Sequence, residues 1–174
     1  MRESKYLVLV GVMVAVILAT QYLLSGVMGL ELVTALLVAF CLAIPFSYSL
    51  ILVIAFLVMR NLIFGFYPSV LILYLIYYPL LAVTLRLAKG NLGRDFVLKD
   101  RIKFTLLAFI MVIIFYILDA VISTIYFGFT YSVAKAYVIA SLLPLGLQEL
   151  SVVLSVYFIT PPAYAMLNSR VVKN

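Results

Sequence analysis

The stretch FTLLAFIMVIIFYILDAVISTIYF, Phe104 to Phe127, holds one charged side chain, Asp119, in a predominantly apolar run. As a helix rising 1.5 Å per residue it is about 36 Å long, enough to cross a hydrocarbon core of about 30 Å. The rest of the chain repeats the pattern. Of 174 residues, 68% are hydrophobic and 10% charged, and the mean hydropathy is +1.31, values that exclude a soluble globular domain. Five further runs are bounded by turn signals: 6–24, closed by Ser25, Gly26 and Gly29; 30–44, closed by Pro45; 46–64; 69–87, after the Gly65 to Pro68 turn; and a last run broken by prolines. None alternates strictly, so helices are expected rather than barrel strands. The expectation is an all-α integral membrane protein, a single domain of six transmembrane helices.

The last run requires arithmetic. From Ser132 to Thr160 one helix would be about 43 Å long, well beyond the core thickness. Pro144 and Gly146 offer the break, because proline suits a first helical turn and leaves a carbonyl unpaired further in. This predicts a short outer or re-entrant helix over 132–143, a sixth span over 144–160, and a polar tail beyond Pro161 and Pro162.

Composition also limits chemistry. Histidine is absent and the single cysteine, Cys41, sits in an apolar run, so a disulfide framework, a histidine triad and the common metal-ligand sets are not expected. No Gly-rich phosphate loop of the GxxxxGK[ST] type occurs. The chain is expected to be no enzyme, to bind no metal and to need no cofactor. The net charge of +6 needs no nucleic acid, since basic residues beside spans follow the positive-inside bias. Arg2, Lys5, Arg86, Lys89, Arg94, Lys99, Arg101, Lys103, Arg170 and Lys173 fall on one side, Arg60 and Lys135 on the other. That places both termini and the Lys89 to Lys103 loop in the cytoplasm of a multi-pass protein of the cell membrane. The charged start, Met1 to Lys5, lacks a cleavage site followed by a polar chain and is expected to lead a retained first span.

The informative residues are ionisable or amide groups that topology does not require, since a charge within a span costs about 2.5 to 3.5 kcal/mol on insertion scales. Glu31 opens the second helix at its outer end. Arg60 and Asn61 lie near the outer end of the third, Asp119 in the outer third of the fifth, and Gln148 and Glu149 at the start of the sixth. Four separate helices thus place polar groups at one level, which suggests a pocket. Thr34 lies one turn after Glu31, and Tyr74, with Tyr77 and Tyr78, offers hydroxyls and ring faces from the fourth helix. Simple neutralisation of Arg60 by an acid, or capping of helix ends, accounts for single residues. Three acids facing one arginine leave a surplus of negative charge, which suits a cationic or amine group. On the first helix Gly11, Ala15 and Ala19 recur at intervals of four, a spacing that lets another helix approach closely.

The size, the six helices, the AxxxA of Ala15 to Ala19, the segment Gly29-Leu-Glu31-Leu-Val-Thr34, the segment Asn61-Leu-Ile-Phe-Gly65-Phe and the Leu143-Pro144-Leu-Gly146-Leu-Gln148-Glu149 break together resemble the substrate-binding S components of energy-coupling factor (ECF) vitamin transporters. The resemblance implies a high-affinity capture subunit for a vitamin or related micronutrient. It implies docking through Ala15 and Ala19 on a transmembrane coupling subunit with two cytoplasmic ATPases. A different expectation is a structural protein of the cell-shape machinery, similar to MreD, which needs no ligand pocket.

Overall fold

The computed structural model describes residues 2–27, 29–90, 92–93 and 96–171. Of the basic residues counted above, Arg94 and Lys173 lie outside the described residues, and the side chains of Arg2 and Arg170 are not described. Among the described residues every regular element is helical: α1 (Arg2–Leu24), α2 (Val33–Ala43), α3 (Phe46–Phe64), α4 (Pro68–Lys89), α5 (Leu98–Phe127), α6 (Tyr131–Phe158) and α7 (Thr160–Val171). Five stretches, with α6 and α7 counted as one, are long and apolar enough to cross a membrane.

The distribution of apolar surface shows which solvent the protein needs. No more than 39% of the most apolar window of any long helix is buried within the protein. Leucines and isoleucines such as Leu7, Leu23, Leu62, Leu87, Ile125 and Leu143 are more than half exposed. Exposed apolar area on this scale is untenable in water and ordinary against lipid. The chain is a multi-pass helical membrane protein.

α2 is the innermost element. With only 11 residues it is about 16 Å long, too short to span alone, and Ala35, Leu37, Val38 and Ala39 are fully enclosed. α4, α6 and α7 surround it, with further contacts from α1, α3 and α5. One end of the bundle is tied by basic side chains reaching helix C-terminal carbonyls: Lys89 Nζ donates to the Leu42 carbonyl at 2.6 Å, and Lys103 Nζ donates to that of Ala88. Positive charge is favourable at such ends.

Three expectations are corrected here. First, the chain does not break at Pro144: α6 is continuous through it, just as α4 is continuous through Pro79. There is no separate helix over 132–143. Second, the break falls at Ile159, where Pro161 and Pro162 occupy the first turn of α7 and need no intrahelical donor. Thr160 Oγ1 donates to the Ala35 carbonyl at 3.0 Å, and Tyr164 and Leu167 are buried. The expected sixth span of 144–160 followed by a polar tail is instead the lower part of α6 continued by α7. Third, helix starts at Val33 and not at residue 30, so Glu31 belongs to the connection that precedes α2.

A long α6 fits because α5 is long as well. α5 and α6 form an antiparallel pair, the most extensive contact in the protein. From Phe115 to its end α5 rises about 18 Å, whereas α4 extends only about 9 Å beyond Tyr74 at the same level. The α5–α6 hairpin therefore projects past the other helices at the end that carries Gly65 and Gly128.

Candidate functional site

The connection from α1 to α2 is held on α6 by its backbone. Gly29 has φ +75°, and a Cβ there would sit 2.4 Å from Leu147 Cβ and 3.3 Å from the Gln148 nitrogen. Only glycine allows both the left-handed conformation and this approach. Two residues on, the Glu31 N–H donates to Ser151 Oγ at 2.7 Å, and the Glu31 carbonyl accepts from Ser151 Oγ at 3.2 Å and Ser155 Oγ at 3.1 Å. Serines four apart lie on one helix face, so α6 presents a two-point clamp. An open apolar groove lined by Leu30, Leu150 and Leu154 lies along this contact.

The clamp fixes the Glu31 side chain. Its Oε1 accepts the Thr34 N–H at 3.0 Å, capping α2, and its Oε2 accepts from Gln148 Nε2 at 3.4 Å. Gln148 Oε1 in turn accepts from the Tyr116 hydroxyl at 3.0 Å. Burial pushes the Glu31 carboxyl above the ordinary carboxylate range, opposed by the backbone N–H groups of Thr34 and Val33.

Two cavities meet at this carboxylate. The first, of about 190 Å³, is lined by Gln21, Glu31, Thr34, Gln148 and the rings of Tyr74, Tyr77, Tyr78 and Phe115. The rings form a mutually packed wall with centroids 4.9 to 6.0 Å apart along Tyr78, Tyr74, Phe115 and Tyr77. The second, of about 320 Å³, shares Gln21, Glu31 and Val33 with the first and adds Arg60, Phe64 and, from the α1–α2 connection, Ser25, Val27, Gly29 and Leu30. Arg60 does not pair with an acid in the manner that charge neutralisation requires. Its guanidinium lies over the Tyr74 ring at 4.6 Å and the Phe64 ring at 5.6 Å, and its buried Nε and Nη1 have no hydrogen-bond partner.

Of the residues singled out in the sequence, Glu31, Thr34, Tyr74 and Gln148 line the first cavity and Arg60 the second. Asn61, Asp119 and Glu149 line neither. Asn61 is buried and returns its amide to the Leu57 carbonyl at 2.9 Å within α3. Asp119 accepts from the Tyr137 hydroxyl at 2.5 Å inside the projecting α5–α6 hairpin. Glu149 is buried on the face of α6 that carries Val152 and Val156, and neither carboxyl oxygen has a partner. Gly11, Ala15 and Ala19 are exposed on α1, and nothing lies within 4 Å of a Cβ placed on Gly11. This stripe is not an internal packing surface.

Sequence reasoning missed Gln21, Ser151 and Ser155. Gln21 lines both cavities, and as an amide near the end of an apolar helix it carried a signal comparable to Gln148. The serines carried none, because small polar residues are common in membrane helices.

No protein-family model, no curated protein and no solved structure matches this chain.

Proposed function

We propose that this chain is the solute-capturing membrane subunit of an ECF-type importer, taking a vitamin-like micronutrient and docking on a coupling subunit served by two cytoplasmic ATPases. The observation that carries the reading is the pair of joined cavities. In a chain with few polar side chains, Gln21, Glu31, Thr34, Arg60 and Gln148 are drawn from five separate segments to one place beside an aromatic wall. A membrane protein that only scaffolds other proteins has no use for such a place, whereas small-molecule sites combine aromatic lining with a few convergent polar groups. The exposed Gly11, Ala15 and Ala19 stripe supports docking, since association in lipid depends on close backbone approach. With both termini cytoplasmic, as the lysine and arginine excess expects, the cavities open toward the outer surface.

The test is direct. Protein purified in detergent is denatured and the released small molecules are identified by mass spectrometry. Wild type releases one compound at near one per chain. Glu31→Gln, which weakens a desolvated charged contact by about 2 kcal/mol or more, releases at least about tenfold less. Wild type that releases nothing, from cells grown in rich medium, overturns the reading.

A further inference from the structure

Resting on the capture reading, the inference concerns the chemical class of what is captured. We infer that the ligand is a small water-soluble zwitterion, with a carboxylate received by Arg60 and a protonated amine received by Glu31 and Gln21. Three observations point there.

The first is what the cavity leaves unsatisfied. Arg60 Nε and Nη1 are buried donors without acceptors, and Gln21 Oε1 is a buried acceptor without a donor. Buried polar groups in folded proteins are overwhelmingly paired, so each of these asks for a complementary group. Arg60 asks for an acceptor and Gln21 for a donor. A ligand with only one kind of polar group leaves the other end unpaired.

The second is charge. One cation, Arg60, and one anion, Glu31, face the same 320 Å³ cavity, while Asp119 and Glu149 line neither cavity. The surplus of negative charge expected from the sequence is therefore absent from the lining. A site with one charge of each sign is matched by a molecule with one charge of each sign, and a purely cationic or purely anionic ligand buries an unpaired like charge. Both Glu31 oxygens already accept hydrogen bonds, from Thr34 and Gln148, which holds the carboxylate in place for an incoming ammonium.

The third is orientation. The guanidinium is held over the Tyr74 ring, 4.6 Å from its centroid, and a positioned fork suits a planar carboxylate. The same Tyr74 ring belongs to the wall of the smaller cavity, so an apolar part of the ligand has an aromatic face to lie against beside its carboxylate end.

The experiment takes the compound released from wild type and offers it back to ligand-free protein in three forms: unmodified, methyl-esterified at its carboxyl group, and N-acetylated at its amine. Wild type binds each blocked form about tenfold or more weakly than the free one. Arg60→Met binds the ester and the free acid within about threefold of each other, Arg60→Lys falls between, and Glu31→Gln loses the distinction between amine and N-acetyl forms. The blocked compounds measured on wild type test the inference without any variant having to fold, and wild type that binds the ester and the N-acetyl form as tightly as the free compound overturns it. A released compound lacking a carboxyl or an amine, or an Arg60→Met protein that discriminates as wild type does, overturns the inference and leaves capture standing. A released phospholipid assigns the same charges to a lipid headgroup and overturns the soluble ligand. Wild type that releases nothing removes capture, and this inference with it.

Discussion

Replacing Gly29 by alanine strikes the contact on which the site depends. The added Cβ meets Leu147 Cβ at 2.4 Å and the Leu147 carbonyl carbon at 3.2 Å, at φ +75°. Backbone lies behind the clash, so the loop must lift or rotate. Left-handed conformation costs a non-glycine residue about 1 to 2 kcal/mol. Lifting forfeits the three hydrogen bonds between Glu31 and the two serines, each worth about 0.6 kcal/mol in a membrane helix bundle. Those bonds are lost on lifting in both proteins and so cancel in the comparison; the ratio of docked to lifted loop shifts by the strain alanine adds to the docked loop, about 1 to 2 kcal/mol or about tenfold before the clash is counted. Amide hydrogen exchange over residues 29–36 in detergent reads this ratio, and Gly29→Ala should exchange about tenfold or more faster there with α3 and α4 unchanged. Gly146→Ala is the matched control on α6. Nothing lies within 4 Å of its added Cβ, and removing a helical glycine gains about 0.5 to 1 kcal/mol. Parent-like exchange in Gly29→Ala would refute the clamp and, with it, the account of how Glu31 is aimed.

Glu31 also sets a pH dependence. Its carboxyl is raised above 4.5 in the folded protein by burial, so the folded state holds the proton more tightly than the unfolded one. Stability therefore falls as pH rises from about 4.5 through the raised value; thermal melts of wild type between pH 4 and pH 8 should show this slope, and Glu31→Gln should make it shallower. Pro144→Ala restores an N–H to a helix that is already continuous there, so it should raise the melting temperature and leave ligand release unchanged; a protein destabilised by this change would mean that the proline is required for the path of α6. Ala15→Leu with Ala19→Leu should leave the melting temperature of the isolated protein within a few degrees, because both side chains are exposed. The same pair should abolish co-purification with a coupling subunit, and a double variant that unfolds would return the stripe to internal packing.

The helices were legible because lipid makes hydrophobicity nearly sufficient: α3 and the end of α1 fall where Gly, Ser and Pro punctuate the apolar runs. The sixth span was not, and the reason lies in the rule applied. A helix of about 43 Å is too long for one core thickness only where it must stay within the core. α5 and α6 pack against each other along a projecting hairpin, so the excess length of one is matched by the other, and a proline inside such a helix is tolerated when neighbours shield the freed carbonyl. The meeting of Gln148 with Glu31 needs no break in α6, because it depends on where α6 meets the α1–α2 connection. That meeting point is set by Gly29, Ser151 and Ser155, and a continuous α6 presents Gln148 to Glu31 as well as a broken one would. The direction of each side chain was not legible. Gln148 and Glu149 are neighbours in sequence, yet about 100° apart around a helix; one lines the cavity and the other packs above Val152. A polar residue's depth in the membrane is readable from counting along the chain, but its facing depends on helix rotation, which in an apolar helix only packing decides. Arg60 shows the consequence: counting placed it at the level of three acids, whereas rotation of α3 and α4 set it on the ring of Tyr74. A surplus of acids in the sequence thereby became a balanced pair in the cavity.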